Sequence, residues 1–104
     1  YVNHFETLSD VYLSPNRLDD IFAHMGAVSP VMHIKDIKIG PGLVLHLEET
    51  VPVLGELDLQ HCFRHFERLF PDKYGLIEHL KPNLIPKAAQ HTRSIAAQAS
   101  VLIN

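Results

Sequence analysis

Two strand-like stretches of this 104-residue sequence carry side chains that can transfer protons or bind metal ions. "VMHIKDI" (31–37) holds His33, Lys35 and Asp36 among apolar residues, and "YGLIEHL" holds Glu78. A charge buried without a partner destabilises a fold strongly, so such residues are normally paired, solvent-facing or bound to a metal. Each stretch is therefore an exposed strand or part of a site.

The two-residue period of a strand decides which of these side chains share a face. His33 and Lys35 fall on one face of the first stretch and Asp36 on the other, while Glu78 shares its face with leucines of 74–80. The carboxyl ends of parallel strands are where α/β proteins bind ligands. A His and a Glu on neighbouring parallel strands would suit one Mn, Fe, Co or Zn ion, completed by ligands from elsewhere. A plain ion pair of Glu78 with Lys35 or His33 is the alternative.

Helices and strands alternate along the chain. Apolar residues at helical spacing mark three helices, and the clearest has Ser14 as a cap, Pro15 in its first turn and Gly26 at its end. Strands that alternate with helices imply right-handed crossovers and a parallel sheet. We predict helices at 14–26, about 58–70 and about 86–101, strands at 31–37 and 74–80, and one or two short strands or an extended loop at 43–54.

Composition narrows the class of protein. With 46% hydrophobic and 20% charged residues, the sequence is typical of a folded protein, and residues 1–104 read as a single segment without linker or repeat. A net charge of −3 argues against a nucleic-acid partner, which needs a basic surface. No apolar run approaches the roughly 20 residues of a membrane span. The single Cys62 excludes an internal disulfide, which fits our expectation of a cytoplasmic protein.

The order of the motifs resembles the final quarter of the xylose isomerase-like TIM barrels, the superfamily of sugar phosphate isomerases and epimerases. "VMHIKDI" resembles the H-x-K-D of the seventh strand, and "YGLIEHL" resembles the eighth strand with its Glu. "VPVLGELDL" resembles the intervening loop with its G-E-G-like turn, although Leu57 stands where a second Gly is common, which leaves the loop's shape open. In "YVNHFET", Asn3 would match the Asn of an Asp-x-x-Asn pattern after the sixth strand.

This resemblance implies an α/β chain that forms about the last two βα units, plus the preceding helix, of a (β/α)8 TIM barrel. It implies His33 and Glu78 as ligands of a divalent metal (Mn, Mg, Co or Zn, with Mn favoured) and Glu78 as the proton-transferring residue. Lys35, Asp36 and Asn3 would line or support the substrate pocket. The family's remaining ligands, a Glu and an Asp from earlier strands, lie outside this sequence. We therefore expect a partner that completes the barrel, either the rest of a longer polypeptide or an equivalent chain, and a homo-oligomer.

Several functions fit this interpretation. The first is a metal-dependent isomerase or epimerase that moves a proton next to the carbonyl of a small sugar or polyol. A keto-polyol dehydratase or lyase of the same superfamily is an alternative, and so is a non-catalytic barrel fragment or interaction module. A DNA-repair endonuclease of the superfamily is disfavoured because it needs a positively charged phosphate-binding surface.

The remaining chemistry-bearing side chains are predicted to be structural. Cys62 falls on the apolar face of the second helix and is expected in the core, whereas His61 and His65 fall on its solvent face. His46 and Glu49 are expected to be solvated loop residues.

Overall fold

The structure is a computed structural model that describes residues 5, 7–41, 47–72, 74–78 and 80–103. Within these residues the chain is mixed α/β, as predicted. Short 3₁₀ turns follow the second helix and precede the last one. The elements in chain order are α1 (Leu8–Tyr12), α2 (Ser14–Met25), β1 (Met32–Ile34), β2 (Asp36–Ile39), β3 (Leu47–Thr50), α3 (Leu59–Leu69), β4 (Gly75–Ile77) and α4 (Ile85–Gln98).

Helix α2 confirms the helix predicted at 14–26, but Ser14 is not its N-cap residue as predicted. Ser14 is buried inside the helix, and Leu13 occupies the N-cap position because the short helix α1 ends there. The Ser14 hydroxyl instead accepts a hydrogen bond of 2.9 Å from the backbone N–H of Asp58 and so joins α2 to the start of α3. Gly26 ends α2 as expected.

Helix α1 was not predicted, because five residues are too few to show a helical stripe. Its start is fixed locally by a capping box in which Thr7 and Asp10 satisfy each other's backbone N–H groups. Thr7 Oγ1 accepts from the Asp10 N–H at 3.1 Å, and Asp10 Oδ2 accepts from the Thr7 N–H at 3.0 Å.

Helices α3 and α4 lie where they were predicted. Asp58 caps α3 by accepting a hydrogen bond of 3.0 Å from the His61 N–H. Helix α4 ends three residues before the predicted limit of 101, because Ser100 takes a left-handed backbone conformation with φ 60°. The N–H of Val101 then bonds the Ala96 carbonyl at 2.8 Å, which is the hydrogen bond of a Schellman motif.

Strands β1 and β4 pair in parallel, as predicted, with His33 opposite Leu76. The prediction of one continuous strand over 31–37 was wrong. The ladder breaks at Lys35, and β2 pairs antiparallel with β3, so that Asp36 lies opposite Thr50. Because the two strands belong to different ladders, the described residues contain two separate two-stranded sheets.

The core lies between the β1–β4 pair and the helices. Met32 and Ile34 are buried in one cluster with Phe63 and Phe66 of α3. Cys62 is fully buried there, as predicted, and burial raises the pKa of its thiol to about 12, which makes it unreactive. In the part of the chain that the structure describes, every helix is too short or too polar to cross a membrane.

Candidate active site

Strand pairing places His33 and Glu78 side by side. Leu76 lies opposite His33 in the parallel ladder, and Glu78 follows two residues later on the same face, directly after β4. His33 Nδ1 is 2.8 Å from Glu78 Oε1, with the histidine side chain 51% exposed and the glutamate side chain 28% exposed. The structure therefore brings the two predicted metal ligands together at the carboxyl end of the parallel pair.

Lys35 lies between two carboxylates. Its Nζ is 3.0 Å from Glu78 Oε1 and 3.3 Å from Glu49 Oε1, and its side chain is only 14% exposed. Burial acts to lower the pKa of Lys35, but the bonds to Glu78 and Glu49 outweigh it, so the net shift is upward. The ammonium therefore stays charged at neutral pH.

The same bonds fix the charge of Glu78. Hydrogen bonds from Lys35 and then from His33 hold the pKa of Glu78 below its ordinary value. An ionised carboxylate is the form that binds a cation or accepts a proton.

The geometry of His33 and Glu78 fits a shared divalent ion. Metal bonds of about 2.0–2.2 Å place neighbouring nitrogen and oxygen ligands about 3 Å apart, and the 2.8 Å separation of these two atoms is close to that value. Lys35 opposes the ion because its ammonium bonds the same Glu78 oxygen. Glu49 is a second partner of Lys35. The Lys35 ammonium would therefore stay paired with Glu49 if a cation displaced it from Glu78.

The site includes Glu49, which the sequence analysis assigned to a solvated loop. Glu49 lies on β3 opposite Ile37, and its side chain is 42% exposed. Its contact with Lys35 depends on the β2–β3 hairpin, whose pairing the sequence pattern left open. Partial alternation over 43–54 was the signal that allowed one or two short strands or an extended loop here.

Asp36 organises the loop beside the site. It is fully buried, and its carboxylate accepts backbone hydrogen bonds from Ile37, Val53, Gly55 and Leu57. Burial raises the pKa of the Asp36 carboxyl, and the four N–H donors oppose that shift because they bind the ionised form. These contacts are all to backbone N–H groups, and the role of Asp36 in lining or supporting a substrate pocket stays a prediction.

The loop that Asp36 holds is strained at Val53. Its φ of 78° lies in the left-handed region, which is unfavourable for a β-branched residue and costs about 1–3 kcal/mol. Leu57, where the resemblance would predict a second Gly, is buried in the core and is not one of the positive-φ residues, so its backbone does not require glycine. Asn3, the remaining predicted substrate residue, lies outside the described residues.

Position 55 requires glycine because its backbone lies very close to Asp36 and Ile37. A Cβ at this position would overlap Asp36 Oδ1 and the Ile37 carbonyl oxygen, which also accepts the Glu56 N–H at 2.7 Å. We expect Gly55→Ala to lower the free energy of unfolding by about 1–3 kcal/mol, as overpacking does elsewhere. Urea denaturation measures it, with Glu56→Ala at the neighbouring exposed position as the control. An unchanged midpoint for Gly55→Ala would show that the loop is not held as described.

A second cluster joins helices α2 and α3 and was missed by the sequence analysis. His61 Nε2 and His65 Nε2 lie 2.5 and 2.6 Å from Asp19 Oδ1. These hydrogen bonds, from His65 first and then His61, lower the pKa of Asp19. The available signal was the four-residue spacing of the two histidines, which puts both on one helix face.

The sequence matches no family model, and neither a curated protein nor a solved structure is significantly similar to it. The resemblance to the xylose isomerase-like barrels therefore stays a prediction from the order of the motifs.

Proposed function

We propose that this chain contributes His33 and Glu78 to a divalent-metal site in an isomerase or epimerase that moves a proton next to the carbonyl of a small sugar or polyol. The observation that carries the proposal is the 2.8 Å approach of His33 Nδ1 to Glu78 Oε1 at the carboxyl ends of β1 and β4. The resemblance favours Mn as the ion, with Mg, Co and Zn as the other candidates.

Each residue has a role that follows from its surroundings. A carboxylate removes a proton next to a carbonyl only when positive charge stabilises the resulting enolate, and the metal supplies that charge when bound. Glu78, held ionised by Lys35 and His33, takes up the proton and returns it. Lys35 lies 3.0 Å from the same carboxylate and is placed to donate a hydrogen bond to a substrate hydroxyl.

The orientation of the β1–β4 pair supports the barrel interpretation. Met32 and Ile34 face the helices, whereas Val31 and Leu76 on the opposite face are 45% and 50% exposed. In a (β/α)8 barrel the helices cover the outside and the opposite face of each strand lines the interior. We therefore propose that this chain forms the last two βα units and the preceding helix, and that the rest of the barrel or an equivalent chain covers this face, within a homo-oligomer.

Two alternatives remain open as proposals. A keto-polyol dehydratase would use the same proton abstraction and then protonate and release a neighbouring hydroxyl group of the substrate as water. A non-catalytic ion-pair cluster is favoured by a separate observation, namely that Lys35 contacts both Glu78 and Glu49.

Metal titration distinguishes the catalytic proposal from the non-catalytic one. We expect His33→Ala and Glu78→Gln each to weaken Mn²⁺ binding at least 10-fold, since loss of the residues that merely support metal ligands already costs about 10–100-fold. Binding is measured by the electron paramagnetic resonance signal of free Mn²⁺ in titrations of the purified protein.

Matched controls are His24→Ala and Glu48→Gln, which change an exposed histidine and a carboxylate that pairs with Lys38. They should bind Mn²⁺ like the unmodified protein. If His33→Ala and Glu78→Gln bind as the controls do, the ligand assignment is wrong and the ion-pair cluster is the better account.

A further inference from the structure

Helices α2 and α3 meet at a cluster of two imidazoles and one carboxylate. His61 and His65 extend from one face of α3, and Asp19 extends from α2, so that both Nε2 atoms reach the same carboxylate oxygen. The three ligand atoms lie within 4.8 Å of one another. None of these residues belongs to the set around Glu78.

Neighbouring rings hold the two imidazoles in place. Phe22 stacks on His65 with ring centroids 4.8 Å apart and planes 9° apart, and His61 meets His65 edge to face at 4.9 Å. The side chains of His65 and His61 are 18% and 29% exposed, whereas that of Asp19 is 52% exposed. The cluster is thus fixed on its histidine side and open to solvent on its aspartate side, which allows an ion to enter.

We propose that Asp19, His61 and His65 form a zinc site that clamps α2 to α3. Two imidazoles and one carboxylate are a ligand set that Zn²⁺ prefers, and three protein ligands leave one tetrahedral position for water. Two histidines four residues apart on a helix present their nitrogens to one ion, as in helical zinc motifs. The ion replaces the two N–H···O bonds with three metal bonds, so it strengthens a contact that the fold already makes.

Arg68 competes with this ion. One of its guanidinium N–H groups lies 3.1 Å from His65 Nδ1 and donates to it, which leaves the proton of that ring on Nε2, facing Asp19. Zinc needs Nε2 unprotonated, with the proton on Nδ1, so Arg68 must turn away when zinc binds. Its charge also repels a cation.

The test is thermal unfolding of the purified protein with and without Zn²⁺. With zinc at about a hundredfold excess over its dissociation constant, we expect Tm to rise by roughly 10 °C or more. Asp19→Asn keeps an oxygen that can accept the histidine N–H groups but loses the charge, so the zinc-dependent rise should largely vanish while the metal-free Tm changes little. His61→Ala and His65→Ala should weaken zinc binding at least 10-fold.

Controls separate this site from general cation binding and from the proposed active site. Asp20→Asn and His24→Ala change neighbouring exposed residues on α2 and should keep the full zinc response. Glu78→Gln should keep the part of the zinc response that Asp19→Asn removes, so this proposal and the proposed function fail independently. Arg68→Ala should bind zinc more tightly, whereas Arg64→Ala, which removes a bond to Gln60, should not.

The visible spectrum of bound Co²⁺ provides a second readout, since tetrahedral nitrogen and oxygen coordination gives an absorption that free aqueous Co²⁺ lacks. We expect this absorption in the unmodified protein and its loss in His65→Ala. A Tm that does not respond to zinc, or an equal response in the unmodified and Asp19→Asn proteins, would overturn the proposal and leave a hydrogen-bonded helix contact.

Discussion

Asp36→Ala is expected to lower the free energy of unfolding by about 3 kcal/mol or more. The fully buried carboxylate accepts four backbone N–H groups, three of them from the loop at Val53, Gly55 and Leu57. A buried polar group left without its partner costs roughly 1–3 kcal/mol, and alanine leaves the buried N–H groups of Ile37 and Leu57 in that state at once. The loop also loses the hydrogen bond from the Val53 N–H to Asp36, which offsets the unfavourable backbone φ of Val53.

Urea denaturation followed by circular dichroism measures this effect. Asp36→Asn should also destabilise, because its amide group presents N–H donors where the loop presents donors of its own. Asp20→Ala, at an exposed position of α2, is the control and should change stability by less than about 0.5 kcal/mol. A loss below about 1 kcal/mol in Asp36→Ala would show that the loop does not depend on this carboxylate.

Helices α2 and α3 and the parallel pairing of β1 with β4 were predictable, because apolar period and element order are properties of local sequence. The break at Lys35 was not. It accompanies the burial of Asp36, whose donors at Val53 and Leu57 lie 17 and 21 residues away along the chain. A charged residue in an apolar run looks the same in the sequence whether it lines a pocket or binds a distant loop.

The proximity of His33 and Glu78 was predictable from two rules, the alternation of side chains along a strand and the parallel pairing of β1 with β4, and the structure follows both. Glu49 was missed because its place depends on the register of a hairpin. His61 and His65 showed their spacing in the sequence, but Asp19 lies 42 residues before His61. Only the packing of α2 on α3 brings that carboxylate to the histidines.

Glu78→Gln is expected to abolish proton exchange at the carbon next to a substrate carbonyl, with a loss of at least about 100-fold. Glutamine cannot accept the proton and is a weaker metal ligand than a carboxylate, so both requirements for enolate formation fail together. Because the amide oxygen of glutamine can still accept hydrogen bonds from His33 and Lys35, and Lys35 keeps its contact with Glu49, the substitution should leave Tm nearly unchanged. Lys38→Gln, at an exposed position that pairs with Glu48, is the control and should retain exchange.

The most direct test is incubation of the protein, in the assembly in which it is isolated, with Mn²⁺ and a panel of ketoses and keto-polyols in heavy water. Nuclear magnetic resonance or mass spectrometry then reports deuterium at the carbon next to the carbonyl. We predict uptake that requires the metal, that is lost in Glu78→Gln and that is retained in Lys38→Gln. Uptake that survives in Glu78→Gln would assign the base to another residue, and no uptake with any substrate would contradict the proposed function.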